Sequence, residues 1–159
     1  MTKFSIAFLQ FVIVLIGLIT ITFLIWAPLN EGRATNLNLF RIYTDPFILL
    51  IYTASLAFFA ALYQAFKLLR FIGQNKVFTP SAVKTLQKIK YCGIILCGLI
   101  LIVGFYIKIF HSKEDDPAGF LAICIVITFS SFVVATAAAI FEKLLQNAVD
   151  IKTENDLTV

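Results

Sequence analysis

The chain contains four long stretches without a single Asp, Glu, Lys or Arg, and this feature limits its fold more than any other. The stretches run from Phe4 to Asn30, Pro46 to Phe66, Tyr91 to Ile107 and Pro117 to Phe141. A helix needs about 20 apolar residues to cross a hydrocarbon core of about 30 Å. Each stretch is of this length or close to it, so the sequence predicts four transmembrane helices.

The apolar stretches also set the fold class. They are uniformly apolar, whereas the strands of a membrane barrel alternate between apolar and polar residues. Only 14% of the residues are charged, compared with about 25% in soluble domains. The sequence therefore predicts an all-α, integral membrane four-helix bundle, forming one domain over residues 1–159. The expected spans are about 4–29, 46–70, 82–110 and 118–145, followed by a cytoplasmic helical tail at 146–159.

Lysine and arginine are distributed unevenly between the connections, which predicts the orientation by the positive-inside rule. The side that holds both termini and the second connection has 9 cations, and the opposite side has 4. The first group is Lys3, Lys67, Arg70, Lys76, Lys84, Lys88, Lys90, Lys143 and Lys152, and the second is Arg33, Arg41, Lys108 and Lys113. Both termini are therefore expected in the cytoplasm.

The second connection contains a helix stop followed by a helix start. Gly73 is expected to adopt a left-handed conformation that ends the second helix. Thr79 is expected to accept hydrogen bonds as an N-cap, and Pro80 suits the first helical position. The next helix therefore begins near Pro80 and leads into the third span.

This third helix is expected to enter the membrane as an amphipathic ramp. Val83, Leu86 and Ile89 share one stripe, and Lys84 and Lys88 share another. The lysines either only fix the topology or form a docking surface for anionic lipid headgroups or an acidic partner. The candidate docking residues, with those of the tail, are Gly73, Phe78, Thr79, Pro80, Lys84, Lys88, Lys90, Asp150, Glu154, Asn155, Asp156, Leu157 and Val159.

The fourth helix has no breaker after Phe141 and is expected to protrude from the membrane. Its acidic end and the basic ramp lie on the same predicted side. We hypothesise a weak, salt-sensitive latch in which Asp150, Glu154 or Asp156 approaches Lys84, Lys88 or Lys90, since exposed pairs contribute only about 0 to 1 kcal/mol. The last residues are otherwise expected to fray, or to add as a strand to a peptide-binding domain.

Two segments carry a resemblance to a known family. The G-Q-N-K-V-F-T-P turn from Gly73 to Pro80, the terminal E-N-D-L-T-V from Glu154 to Val159 and the four-span plan resemble the bacterial membrane proteins classed as domain of unknown function 2975. The resemblance covers essentially the whole chain. It implies a bacterial inner-membrane protein, often encoded beside a small helix-turn-helix regulator. It implies no activity, and therefore no catalytic residues.

The spans lack the side chains that membrane chemistry requires. Proton relays, ion-coupled transporters and intramembrane hydrolases need ionisable or metal-binding groups at membrane depth. The three cysteines, Cys92, Cys97 and Cys124, are interpreted as packing residues, and the lone His111 as part of a solvated turn. We expect no enzyme activity, no catalytic, cofactor-binding or metal site, and no direct binding to nucleic acid.

Small residues recur at every fourth position in two spans and are expected to allow close helix packing, within one chain or in a homo-oligomer. They are Ala57, Ala61 and Ala65 in the second span and Ser131, Ala135 and Ala139 in the fourth. Three functions remain open. The first is a regulatory or interaction protein that contacts a soluble cytoplasmic regulator. The second is a pore-like subunit of a transport assembly with a cavity lined by Gln10, Gln64 and Thr128. The third is a lipid-modifying enzyme.

Overall fold

The computed structural model describes residues 3–30, 45–110 and 117–157, and within these ranges every regular element is an α-helix. Helix α1 spans Lys3–Asn30, α2 spans Pro46–Gly73, α3 spans Pro80–Phe110 and α4 spans Ala118–Leu157. All four are long and apolar enough to cross a membrane. The predicted all-α fold with four membrane helices is confirmed.

The four helices differ in length, and the difference matters for the site. They contain 28, 28, 31 and 40 residues. At about 1.5 Å per residue, α1 and α2 are about 42 Å long, α3 about 46 Å and α4 about 60 Å. Because the hydrocarbon core is about 30 Å thick, α4 is about twice as long as a perpendicular crossing requires.

Helices that follow one another in the chain are antiparallel neighbours, and these three pairs provide the principal packing. Between α1 and α2, the Tyr52 hydroxyl donates to the Leu24 carbonyl at 3.1 Å, and Ile6 lies against Gly73 at the other end. Between α2 and α3, the rings of Phe47 and Tyr106 stack with centroids 6.3 Å apart. The start of α1, the turn after α2 and the end of α4 therefore lie on the same side.

A buried apolar cluster joins α2, α3 and α4 at the opposite end. It contains Phe47, Ile48, Val103 and Cys124, and Val103 is only 1% exposed. Phe120 of α4 meets the Phe47 ring edge-on at 5.6 Å between centroids. Phe47 thus contacts rings of both other helices and fixes where α2 begins to pack.

Most buried residues of α3 and all those of α4 follow the alternating three- and four-residue spacing of a coiled coil. On α3 those in this spacing are Ala82, Leu86, Ile89, Gly93, Leu96 and Val103, with Val83 and Thr85 buried beside them, and on α4 they are Cys124, Ser131, Ala135, Ala138 and Val149. Among the described glycines, Gly93 has the closest neighbours. A Cβ atom built there would lie 3.0 Å from the Ala135 Cβ and 3.2 Å from the Ser131 carbonyl oxygen.

The end of α2 differs from the prediction. Gly73 is helical, no described glycine has a positive φ, and the left-handed residue is Asn75 with φ 55°. The Asn75 amide donates to the Ile72 carbonyl at 3.2 Å, and the Lys76 amide donates to the Phe71 carbonyl at 2.9 Å. These two bonds define a Schellman motif with asparagine, which tolerates this conformation, in the position usually held by glycine. The predicted role of Gly73 was wrong because Gly73 is the last helical residue, Gln74 is the cap and the left-handed position falls at Asn75.

The start of α3 is as predicted in position but not in its hydrogen bonds. Pro80 begins the helix, and the Thr79 carbonyl accepts from the Ala82 amide at 3.0 Å. The Thr79 hydroxyl was predicted to accept from a free amide, but it donates to the Lys76 carbonyl at 2.8 Å. The Thr79 hydroxyl therefore bonds within the turn between α2 and α3 and does not cap an amide of α3.

Candidate functional site

The candidate site consists of the ends of α3 and α4 that continue together beyond their apolar stretches. We define the paired ends as residues 80–90 of α3 and 142–157 of α4. Lys90 and Lys108 are separated by 18 helical residues, or about 27 Å along the axis. They therefore mark the two edges of a hydrocarbon core of about 30 Å, and the paired ends lie outside it.

An ion pair joins α3 to α4 at the base of the paired ends. The Lys90 ammonium lies 2.6 Å from the Glu142 carboxylate, and the two side chains are 22% and 19% exposed. The ammonium also lies 5.0 Å from the centroid of the Tyr91 ring. This charge-assisted hydrogen bond links the two helices at this point.

The latch hypothesis paired the lysines with Asp150, Glu154 or Asp156, and not with Glu142. Asp150 accepts a hydrogen bond from the Gln146 amide at 2.7 Å on its own helix, and Lys84 and Lys88 are exposed. The sequence does place Glu142 at the same membrane edge as Lys90. It is the first charged residue after the fourth apolar stretch, and Lys90 is the last before the third, so both belong at the same membrane edge.

Apolar packing holds the paired ends together beyond the ion pair. Ala82 is 0% and Thr85 2% exposed, and Leu86, Ile89 and Val149 are also buried. The Thr85 hydroxyl is satisfied by the Ser81 carbonyl at 2.9 Å. The predicted apolar stripe of the ramp is therefore buried, and α3 keeps a fixed partner outside the membrane.

The exposed surface of the paired ends and of the preceding turn is mainly basic on the α3 side. Lys76, Lys84, Lys88 and Phe78 are all exposed, and no acid occurs between Lys67 and Lys90. Of the other candidate docking residues, Gly73, Pro80, Asp150, Glu154 and Asn155 are exposed, whereas Thr79 and Lys90 are half-buried. Val159 and the side chains of Asp156 and Leu157 lie outside the described residues. Lys84 and Lys88, which are four residues apart on α3, therefore share one exposed face, and the exposed Lys76 and Phe78 precede them in the turn.

The small-residue stripes have different environments. Ser131 and Ala135 are buried against α3 at Gly93, and the next buried position is Ala138, whereas Ala139 is half-buried. The spacing is therefore that of a coiled coil, in which four residues alternate with three. Ala57, Ala61 and Ala65 of α2 are half-buried.

A groove of about 490 Å³ lies between α3 and α4 in the half of the span far from the paired ends. Its lining is almost entirely apolar and consists of Cys97, Ile100, Leu101, Gly104, Phe105, Lys108, Leu121, Cys124, Ile125, Thr128, Phe129 and Phe132. We call it the α3–α4 groove. The groove could not be predicted from the sequence, because the convergence of Cys97 with Cys124 depends on the register of the two helices.

Only one of the three polar residues suggested for a transport cavity lines this groove. Thr128 does, and Gln10 and Gln64 do not. The Oγ1 atom of Thr128 and the Oε1 atom of Gln64 are buried without a hydrogen-bond partner. The groove is thus an apolar surface with a single hydroxyl, which differs from the polar lining of an aqueous pore.

Comparison with known proteins identifies the family. Residues 5–159 match the family described as "Protein of unknown function (DUF2975)". The chain belongs to this family. It is 39% identical over 162 residues to the "Uncharacterized membrane protein YoaS" of Bacillus subtilis (strain 168), and the match covers 100% of both chains. The resemblance in the sequence is confirmed, and so is the assignment as a bacterial multi-pass membrane protein. No solved structure matches the chain.

Proposed function

We propose that this DUF2975 protein is a non-enzymatic membrane protein that binds a soluble cytoplasmic partner through the paired ends and the adjoining turn. The observation that carries the proposal is the continuation of α3 and α4 as a packed helix pair past the Lys90–Glu142 ion pair. Anchoring in the bilayer alone requires neither this extension nor its buried core.

The burial within the paired ends supports a binding role. Ala82, Thr85 and Val149 are buried and the Lys90–Glu142 ion pair links the two helices, which supports a folded scaffold for the exposed side chains before a partner arrives. A preorganised surface avoids part of the ordering cost of association, which is about 0.5–1.5 kcal/mol for each immobilised side chain.

The charges define the chemistry of the partner. Lys76, Lys84 and Lys88 form a surface without a neighbouring acid in the sequence, and Phe78 adds an exposed ring. Complementary charge steers association and selects partners. We therefore propose an acidic partner surface with an apolar pocket for Phe78. The exposed Glu154 and Asn155 provide a second contact on α4.

Photo-crosslinking in native membranes tests this proposal. A photoreactive amino acid at position 88 should form one defined adduct with a soluble protein, identified by mass spectrometry. The double reversal Lys76→Glu with Lys84→Glu should abolish the adduct, and removal of residues 154–159 should reduce it. Lys3→Glu, which changes an exposed cation on the same side of the membrane, is the matched control and should leave the adduct intact. An adduct that forms only with lipid, or that resists the double reversal, contradicts the proposal.

The proposed orientation has its own test. Reporter fusions at Asn75 and after Val159 should report a cytoplasmic location, and fusions between Glu31 and Thr44 should report the opposite side, because the cations number 9 and 4. A non-cytoplasmic signal at Asn75 would overturn both the orientation and the soluble cytoplasmic partner.

A further inference from the structure

We infer that the α3–α4 groove is a binding site for a glycerophospholipid, with one acyl chain along the groove and the phosphate at Lys108. The inference is independent of the proposed partner, because the groove and the paired ends lie at opposite ends of the helix pair. Nothing in the family description assigns a ligand to this position.

The shape of the groove follows from the sizes of its residues. Its floor is formed by small side chains at the helix contact, where a Cβ on Gly104 would lie 3.7 Å from the Cys124 Cβ. Its walls are the exposed side chains of Leu101, Phe105, Ile125, Phe129 and Phe132. Large walls beside a floor of Gly, Cys and Thr leave a channel along the helix pair.

The position and length of the channel match one chain of one leaflet. Cys97 and Lys108 are 11 helical residues apart, or about 16 Å along α3. This is about half of a hydrocarbon core of about 30 Å. The channel therefore extends from the membrane edge to the middle of the bilayer.

The chemistry of the lining matches the parts of a phospholipid. The buried part is apolar, as an acyl chain requires, and the only charged lining residue is Lys108 at the membrane edge. An ammonium group has three donors, so Lys108 can bind a phosphate oxygen in addition to another contact. A long lysine side chain at this depth also places its charge at the headgroup level.

Phosphatidylethanolamine is the probe for the test. It carries the phosphate that Lys108 would bind and has no net charge, so its binding does not depend on a general attraction between an anionic lipid and a cation.

Native mass spectrometry of the full-length protein in detergent tests the inference. Phosphatidylethanolamine and diacylglycerol with identical chains are titrated separately, and the bound stoichiometry is read from the mass. We expect one phosphatidylethanolamine per chain and about tenfold weaker binding of diacylglycerol, which lacks the phosphate. Lys108→Gln should remove this difference between the two lipids, and Lys108→Arg should retain it.

A groove-filling variant tests the acyl chain. Cys97→Phe places a ring in the channel and should abolish binding of both lipids. Ile95→Phe, on an exposed part of the same helix outside the groove, is the matched control and should bind as the wild type does. Thermal unfolding of each variant shows whether the fold is retained. A Trp placed at Phe105 in a Trp26→Phe background gives a second readout, since brominated phosphatidylethanolamine should quench its fluorescence.

Three results would overturn the site. The first is equal binding of phosphatidylethanolamine and diacylglycerol by the wild type. The second is unchanged lipid binding by a folded Cys97→Phe variant together with the absence of quenching at Phe105→Trp. The third is a lipid-free dimer that is lost in Cys97→Phe, which would assign the groove to a second copy of the chain.

Discussion

Helices α3 and α4 pack along a continuous seam, whereas α1 packs mainly on α2 and leaves most of its surface exposed. The α3–α4 pair has a close approach at Gly93, an interhelical ion pair and buried residues from Ala82 to Val103. Among the described side chains of α1, only Ile6 and Pro28 are buried. Both helix pairs come from stretches that are equally free of charge, so apolarity does not explain the difference.

The difference shows what joins helices inside a membrane. Lipid tails are as apolar as leucine or phenylalanine, and apolar side chains therefore gain little by leaving lipid for another helix. Small residues at coiled-coil spacing allow the backbones of α3 and α4 to approach, and the contacts they form are shorter than those of α1. In α1 a Cβ on Gly17 would lie 3.8 Å from the Leu62 side chain, which is an ordinary contact.

The largest expected effect is at the closest approach of α3 and α4. Gly93→Leu should lower the free energy of unfolding by about 3 kcal/mol, because no side chain fits against Ala135 and the Ser131 carbonyl. Gly98→Leu, whose Cβ meets no atom within 4 Å, is the matched control and should have little effect. Thermal or SDS-induced unfolding in detergent measures both. Equal losses at the two positions would remove the distinction between the seam and the lipid-facing surface.

The ion pair should have the next largest effect. Lys90→Glu places two carboxylates together at a position where Glu142 is mostly buried, and the midpoint of thermal unfolding should fall, though less than in Gly93→Leu. The exchange Lys90→Glu with Glu142→Lys should recover most of the loss, because the opposite charges again face each other. A double variant no more stable than Lys90→Glu would show that the ion pair does not stabilise the helix pair.

Substitution of Asn75 by alanine should destabilise the turn between α2 and α3, whereas substitution of Gly73 by alanine should not. Asn75→Ala should cost about 1 kcal/mol, since alanine is strained at φ 55°, whereas Asn75→Gly should be neutral. Gly73→Ala should be neutral or slightly stabilising, because this residue is helical and a Cβ would lie 3.6 Å from Ile6. The same unfolding measurement decides between the two positions. Destabilisation by Gly73→Ala would restore the left-handed glycine predicted from the sequence.

The smallest effect is expected in α1. Gly17→Ala should raise the free energy of unfolding by about 0.5 kcal/mol, because alanine is the better helix former and its Cβ meets Leu62 at contact distance. Gly93→Ala, the same change in the seam, should lower it. If both substitutions had the same sign, the two helix pairs would not differ in how closely they pack.

The sequence by itself determined the helical class, the four spans and the family. These properties depend on runs of charge-free residues and on the segments 73–80 and 154–159, which can be recognised without knowing any contact. The amphipathic stripe with Val83, Leu86 and Ile89 was also predictable, because a helical period alone places these residues together.

The tertiary structure decided which features meet across helices. The pairing of Lys90 with Glu142, the contact of Gly93 with Ala135 and the groove that contains Cys97 and Cys124 all depend on the register of α3 against α4. An apolar run has many registers of similar energy, and the spacing within one helix does not select among them. The residue that ends α2 could not be predicted from the sequence either, because it depends on which backbone hydrogen bonds form. The Asn75 and Lys76 amides close the turn by donating to the Ile72 and Phe71 carbonyls, with Asn75 in the left-handed conformation. The intrinsic preference of Gly73 did not decide where the helix ends.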